Sequence, residues 1–469
     1  MIDRVQVSAR PSGRSGHLTP GGPAIPTAAF HPKHEAPVRR LTLVVSLYML
    51  APASLHAQQR VVTLAEAIGL ASRADPLVVQ AEGETRKADA SVRVAWGSFL
   101  PTLSSGVSYG KSFSALPSRI DPLTNEVISG NQTLGSLSLN AQAQIPIFTG
   151  FRRGAELSAA RGDATYADAG FVDAKAQSAL RITNQFISAL QSADLVRAQQ
   201  DATRRAEEKF AIAAAKIATR AATISDSLTA VVDLSRARAQ LLTQQKSLTE
   251  AEATLAKMIG FDGTVSASAD SSLFALTPIA DTAALFGEAM SQSPTVIRAD
   301  ARVRATKARV ASSKSSYWPA ITLSANSSLN GSSPSSYDLS NTRSFNLGLS
   351  WQLFNGFQRE RILVQAHADA DYAVATAADT RRDVGSKLIT QLAALRTAEQ
   401  RIALTTQSLE AARANARVQT ERYRLGTIQI TELNLAQDAL STAEQDAINA
   451  RYDYLRARAQ IEAILGRKL

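Results

Sequence analysis

The chain has 469 residues, 45% hydrophobic and 20% charged, with 6% aromatic residues, a net charge of +10 and no cysteine. Zero cysteines exclude disulfides, thiolate nucleophiles, Cys-ligated zinc and iron–sulfur centres. Four of the five histidines (His17, His31, His34 and His56) lie ahead of Gln58, and only His367 follows, which leaves little basis for His-based acid/base catalysis or a multi-His metal site.

Arg39 and Arg40 precede an apolar run, Leu41 to Leu50, that ends in Ala51-Pro52-Ala53 and Leu55-His56-Ala57. A basic start, about ten apolar residues and small residues at the end predict a secretory signal cleaved after Ala57. The run is shorter than the roughly 20 residues a membrane helix needs. Residues 1–38 hold six of the 16 prolines and read as a disordered extension. Without residues 1–57 the net charge is +6, from 45 basic and 39 acidic residues, and these are interspersed, which argues against a nucleic-acid partner.

The rest of the chain is written twice, as 58–275 and 276–469. Asp75-Pro76-Leu77-Val78-Val79 matches Ser293-Pro294-Thr295-Val296-Ile297 at an offset of 218, which also carries Phe99-Leu100-Pro101 onto Tyr317-Trp318-Pro319. Phe148-Thr149-Gly150-Phe151 matches Phe354-Asn355-Gly356-Phe357 at an offset of 206, which holds to Ile259-Gly260 and Leu465-Gly466. Each copy reads as helix, strand, strand, long helix, long helix. Asp75 and Ser293 are expected N-caps, each followed by proline at the first helical position, and Pro101 and Pro319 stop those helices.

Strands are expected at about 101–113, 134–148, 319–330 and 343–354 from period-two alternation. Leu103, Val107, Tyr109 and Phe113 share one face against Thr102, Ser104, Gly106 and Ser108; Phe345, Leu347, Leu349 and Trp351 oppose Asn346, Gly348, Ser350 and Gln352. A sandwich needs a second layer over the apolar faces, whereas lipid covers the outside of a barrel and water fills its inside. Trp96, Phe99, Phe148, Phe151, Trp318, Trp351, Phe354 and Phe357 gather at the segment ends, as a membrane-interface girdle does. Four strands cannot close, and an open edge is forbidden in lipid. Closure then requires several copies: two give eight strands and a filled interior, three give twelve and a lumen.

Long helices are expected at about 151–220, 223–260, 357–425 and 428–466. At about 1.5 Å per residue the first reaches ~100 Å. Leu433, Leu440, Ala447, Tyr454 and Ile461 repeat every seven residues, with Ala436, Ala443, Ala450, Ala457 and Ile464 between them, a large-and-small heptad pattern for a coiled-coil wall. Gly110-Lys111-Ser112 ends a near-match to a phosphate loop, but the segment alternates as a strand.

Together with Tyr423-Arg424-Leu425-Gly426-Thr427, Ile430-Thr431-Glu432-Leu433 and the closing Ala450-Arg451-Tyr452-Asp453-Tyr454-Leu455, this pattern resembles the TolC family of outer-membrane efflux channels over residues 62–466. The resemblance implies an α+β membrane protein of the Gram-negative outer membrane: a trimeric twelve-stranded β-barrel, four strands per protomer, continued by an α-helical coiled-coil barrel through the periplasm. It implies a non-enzymatic duct without cofactor or metal, working with a periplasmic adaptor and an inner-membrane pump or ABC exporter in efflux or type I secretion. By position Ser225, Asp226, Tyr423 and Glu432 match the periplasmic gate, with Tyr423 bonded to Asp226 and Glu432 in an acidic ring, and Leu425, Gly426, Thr427 and Thr431 match the adaptor-docking turn. Ile428, Leu435 and Arg220 depart from the family's arginine, second acid and first-copy glycine. The rival reading is a soluble periplasmic coiled-coil adaptor or scaffold, whose β region packs as a sandwich.

Overall fold

The structure, a computed structural model, describes residues 60–469 apart from 116–118, 121, 125–126, 129–130, 220–222, 270, 277–281 and 334–337. The expected extension and signal over 1–57, and Arg220, lie outside the described residues. The first repeat comprises β1 (Arg60–Val62), α1 (Leu64–Ala74), α2 (Pro76–Gly97), β2 (Thr102–Ala115), the short β3 (Arg119–Ile120) and β4 (Val127–Ile128), β5 (Asn131–Thr149), α3 (Arg152–Ala218), α4 (Ile224–Met258) and β6 (Val265–Ala267). The second comprises α5 (Thr282–Gln292), α6 (Pro294–Ser313), β7 (Ala320–Ser333), β8 (Ser340–Ser350), α7 (Gln358–Leu425) and α8 (Ile430–Leu465). Helix α6 starts at Pro294 as α2 starts at Pro76, and α7 and α8 start at Gln358 and Ile430 as α3 and α4 start at Arg152 and Ile224. These are the offsets found in the sequence. Helices α1 and α5, which the sequence reading did not list, also correspond at the offset of 218.

β2, β5, β7 and β8 form one antiparallel sheet in that order, with β2 and β8 as its edges. Pairing of Leu103 with Ala143, Ala143 with Ala325 and Ala325 with Phe345 keeps one row of side chains on one face. On that face Leu103, Val107, Phe113, Phe345 and Leu347 are 69–81% exposed. The other described sheets are two-stranded pairs, β1–β6 and β3–β4, so among the described residues no second layer of sheet covers it.

The strands differ from expectation at their ends by a few residues, and at two ends the cause is local. β5 runs on to Thr149, with its register shifted between Pro146 and Phe148, because proline brings no N–H to the ladder. β8 stops at Ser350 rather than reaching 354. There the chain leaves the ladder: the Trp351 indole donates to the Tyr317 carbonyl at 3.3 Å, and the Gln352 and Leu353 carbonyls accept from Arg359 at 2.9 and 3.0 Å.

Helix α3 has 67 residues and α7 has 68, each ~100 Å long. α3 pairs with α4 and α7 with α8, and α3 also lies against α8. Part-way along these helices, α1, α5 and the parallel pair β1–β6 pack over the main core, in which Val62, Phe186, Leu255, Leu388, Tyr452 and Ile461 are fully buried. Most of the heptad stripe of α8 is buried, Leu433, Leu440, Tyr454 and Ile461 with Ala436, Ala443, Ala450 and Ala457, while Ala447 and Ile464 are half-buried. Leu241 and Leu248 of α4, and Ile402 and Leu409 of α7, also lie seven residues apart on stripes that are only part-covered, these four being half-buried, because one chain has nothing to lay against their outer sides.

Both expected N-caps sit at helix starts, but they act differently. Asp75 accepts from the Leu77 N–H at 2.9 Å and also from Ser178 Oγ and Arg181, each at 2.5 Å, tying α2 to α3. Ser293 caps α6 by position alone, with no side-chain bond to the helix. In its place Asp173 of α3, 3% exposed at its side chain, accepts from Thr295 at 3.0 Å and Arg298 at 3.2 Å.

The strand-to-helix turns are the same in both repeats. Gly150 and Phe151, then Gly356 and Phe357, all have φ between 62° and 66°. Two successive left-handed residues swing the chain from strand into helix without a capping side chain, and a non-glycine residue held there is strained by about 1–2 kcal/mol. Arg153 and Arg359, two positions on, secure the turn. Arg153 donates to the Ile147 carbonyl at 2.9 Å and stacks 5.0 Å from the Phe99 ring centroid; Arg359 lies 4.8 Å from Tyr317.

The two glycines differ in surroundings. A Cβ on Gly150 would lie 2.5 Å from the Ser315 carbonyl oxygen and 2.6 Å from Trp318 Cβ, while one on Gly356 would meet nothing within 4 Å. Gly150→Ala is expected to lower the thermal unfolding midpoint by the equivalent of at least ~2 kcal/mol, and Gly356→Ala by only ~1 kcal/mol; equal losses would contradict the packing difference. Burial works against ionising Asp75, but its bonds from Ser178, Leu77 and Arg181 outweigh this and hold its pKa below the usual 3.8. A carboxylate of depressed pKa adds stability above its unfolded value and loses it as pH falls through the folded one. Asp75→Asn is therefore expected to flatten the acid limb of a stability-versus-pH curve below pH about 4, while leaving its neutral side lower than wild type.

Candidate functional site

Two regions carry the residues singled out in the sequence: the junction between sheet and helices, and the opposite tip, where α3 passes into α4 and α7 into α8.

At the junction all eight aromatics gather at one end of the sheet. Phe148 packs edge-on against Phe151 at 5.4 Å between ring centroids, Phe151 against Trp318 at 5.9 Å, Phe354 against Phe357 at 5.5 Å, and Trp96 leans on Phe99 at 5.9 Å. Trp96, Phe151, Trp318, Trp351, Phe354 and Phe357 remain more than half exposed. Large amphipathic rings left outward in a band suit the boundary between hydrocarbon and water.

At the tip, α7 ends at Leu425 and Gly426 adopts φ 81°. The Gly426 N–H donates to the Tyr423 carbonyl at 3.1 Å and the Thr427 N–H to the Arg422 carbonyl at 3.0 Å, a Schellman closure that needs the left-handed glycine. Leu425, Gly426, Thr427 and Thr431 are all exposed, so the turn offers its whole surface outward. Tyr423 is 3% exposed and packs with Ala213, Ala230, Ile430 and Leu433, with Ile428 alongside, in a small core separate from the main one. Ile428, where the resembled family has an arginine, is an apolar contact here.

The expected hydrogen bond between Tyr423 and Asp226 is not formed. The Tyr423 hydroxyl is buried and has no hydrogen-bond partner among the described residues. Burial, and then the nearby Asp226 charge, push its pKa above the usual range, so the two groups are neighbours without a bond. The reason is local: Asp226 is the third residue of α4 and accepts from its own N-cap, Thr223, at 3.0 Å, while the Asp226 N–H donates to Thr223 Oγ1 at 3.3 Å. This capping box engages the carboxylate that a lock would use. The Ser225 carbonyl accepts from Thr229, and the Ser225 side chain is exposed.

Glu432 occupies the equivalent position in α8, but its N-cap is Gln429, which makes no side-chain cap bond. The Glu432 side chain is exposed and pairs with no described residue. Of the two equivalent acids, one caps its helix and the other is left to solvent.

Towards the tip, α3 is tied to α4, α7 and α8 by polar side chains that the sequence reading did not single out. Lys216 donates to the Tyr423 carbonyl, and its Nζ sits 4.2 Å from the centre of the Tyr423 ring. One heptad earlier Lys209, only 4% exposed, donates to Asp233 at 2.8 Å and Asn434 at 2.6 Å, spanning α3, α4 and α8. Arg205 reaches Glu444 at 2.9 Å, and the Tyr452 hydroxyl donates to Asp194 at 2.7 Å. The signal in the sequence was the heptad spacing of Lys209 and Lys216, which puts two cations on the stripe where a coiled coil carries apolar residues.

A sequence profile of the outer membrane efflux protein family matches residues 67–261 and 285–467. The chain belongs to that family. Protein CyaE of Bordetella pertussis is 27% identical over 179 residues, a segment that is 38% of this chain and 38% of that protein. The fold is similar to the CmeC outer membrane channel of Campylobacter jejuni (15% identity, 86% of this chain and 85% of that one, TM-score 0.74). It is also similar to the outer membrane protein VceC of Vibrio cholerae (18%, 86% and 96%, 0.70) and to the MtrE outer membrane channel of Neisseria gonorrhoeae in its open state (16%, 86% and 89%, 0.72). Family and fold are those of channels rather than enzymes. As an outer membrane efflux protein, the chain places its sheet in the outer membrane and its long helices in the periplasm.

Because the Tyr423 hydroxyl bonds to no described residue, Tyr423→Phe is expected to leave channel leak within about twofold of wild type. Lys216→Met removes the bond to the Tyr423 carbonyl and the stacked cation, together worth roughly 1.5–3 kcal/mol. It is expected to raise resting conductance in planar bilayers about tenfold; the reverse ranking would restore the tyrosine–aspartate lock.

Proposed function

We propose that three copies of this chain close their sheets edge to edge into a twelve-stranded barrel and form a passive export duct, through which a partnered pump drives efflux or type I secretion. The observation that carries this reading is the four-stranded sheet itself: one face apolar and exposed, the other polar, and both edges unpaired. In lipid an unpaired edge is not tolerated, and twelve strands leave room for a lumen where eight would be filled by side chains. The half-covered stripes of α4 and α7 suit the same closure, since each then meets the next copy.

At the periplasmic end the exposed turn Leu425, Gly426 and Thr427, with Thr431, is the docking surface for a periplasmic adaptor, which links the duct to an inner-membrane pump or ABC exporter. Three Glu432 carboxylates, uncapped and solvent-facing, make an acidic ring that favours cations. Asp226 serves the tip by holding the start of α4, and Lys216 and Lys209 hold the two hairpins together.

Extraction from the outer-membrane fraction in mild detergent is expected to give a particle of three protomers; a water-soluble monomer or dimer would instead favour the adaptor or scaffold reading. In reconstituted channels Glu432→Gln is expected to lower the cation-to-anion permeability ratio several-fold, and an unchanged ratio would remove Glu432 from the ring. Replacing Gly426 by a β-branched residue is expected to abolish export while the trimer still assembles, and normal export by that variant would place docking elsewhere.

A further inference from the structure

The four barrel strands contain two charged residues, Lys111 and Arg343, and no aspartate or glutamate. Both stand on the apolar face. Lys111 follows Val107 and Tyr109 in the same alternating row of β2, with its ammonium 5.7 Å from the Phe113 ring centroid. Arg343 precedes Phe345 and Leu347 in the same row of β8. Both are exposed, and neither makes an ion pair with a described residue.

Their height is set by residue count. Lys111 is the tenth residue of β2, measured from the aromatic junction, and Arg343 is the fourth of β8, measured from the opposite end. At about 3.3 Å per residue and a tilt of about 40°, both lie roughly 18–23 Å above the junction ends of their strands. That is the outer rim of an apolar belt about 25 Å tall, where a charge on the lipid face costs least.

Closure of the barrel, on which this inference rests, brings the two together. Within one copy the hydrogen-bonded row through Arg343 runs to Ser327, Ala141 and Ser105. Laying β8 on the next copy's β2 in that same row would run the end of β8 past the start of β2. A barrel needs a stagger, and side-chain alternation requires an even one. About four to six residues per copy gives the usual tilt, and only the upward direction keeps β8 on β2. Arg343 then faces Tyr109 or Lys111 of the next copy, within one same-face step of Lys111 in either case. Two cations so placed repel each other unless an anion lies between them. Beside Arg343 the face sinks into a cavity of about 420 Å³ where Ala141, Ala143, Ala325 and Ser327 replace large side chains, with Phe345 at its edge.

We propose that Lys111 and Arg343, meeting across each seam between copies, bind the phosphate of an outer-leaflet lipid headgroup whose acyl chain lies in the adjoining cavity. The guanidinium supplies paired donors to phosphate oxygens and the ammonium a second charge. The amphiphile is held by its headgroup at the height where the outer leaflet carries its phosphates.

The test is native mass spectrometry of the purified assembly titrated with lipid A, a bis-phosphorylated glucosamine lipid, with the same lipid stripped of phosphate, and with inorganic phosphate. Up to three lipid A molecules are expected per trimer, with affinity about tenfold lower for Lys111→Gln/Arg343→Gln and for the phosphate-free lipid, and no competition from inorganic phosphate. Equal binding by the double variant, or by the phosphate-free lipid, overturns the site; so does binding of inorganic phosphate in place of lipid. As the chain has no cysteine, Lys111→Cys/Arg343→Cys and Tyr109→Cys/Arg343→Cys report the seam directly, one for each of the two staggers. Oxidation of one of the two pairs is expected to link copies into a covalent trimer, and failure of both to link overturns the juxtaposition. The same spectra give the copy number: a trimer without phosphate-dependent lipid overturns this inference alone, whereas a particle that is not a trimer overturns the channel reading and this site with it.

Discussion

The unpaired N–H and C=O groups along β2 and β8 govern the rest of the molecule. A soluble protein satisfies such edges with water; a sheet whose one face is lined by Leu103, Val107, Phe345 and Leu347 lies where there is none. On the proposed channel reading, backbone hydrogen bonding makes assembly obligatory, and the number of copies sets the bore. The long helices inherit that geometry. They leave the sheet through left-handed glycine–phenylalanine turns and expose on α4 and α7 the sides that a neighbouring copy would cover.

Much of this was legible in the residues. Period-two alternation marked all four strands, the offsets of 218 and 206 paired the elements of the two repeats, and heptad spacing picked out the buried stripe of α8. Errors came where two local rules competed. Trp351 to Phe354 continue the alternation of β8, yet the arginine that follows takes the Gln352 and Leu353 carbonyls out of the ladder. Ser293 stands where Asp75 does but makes no capping bond, the tie to α3 having passed to Thr295 and Arg298.

The tip shows the limit of reading by position. Asp226 and Tyr423 both occur where a lock would have them, but a carboxylate at the third position of a helix with threonine at its N-cap has a closer use. Lys209 and Lys216 hold the tip instead, and their partners Asp233, Asn434 and the Tyr423 carbonyl lie on three other helices. Pairings between distant segments are not written in local periodicity. The two copies of the repeat have thus parted in chemistry while keeping one backbone plan: the acid of one hairpin closes its own helix, and that of the other is free.

The collar of aromatics and the arginines behind it have a metrical consequence. Arg153 and Arg359 grip the last turn of strand among rings that suit the water boundary, so the proposed duct would have a fixed waterline. From there α3 and α7 run towards the tip as uninterrupted helices of 67 and 68 residues. A helix advances by a fixed rise at every residue and does not stretch. The chain is therefore a length standard. How far the entrance stands from the outer membrane is counted in residues, and each heptad added to or taken from all four long helices would move it by about 10 Å.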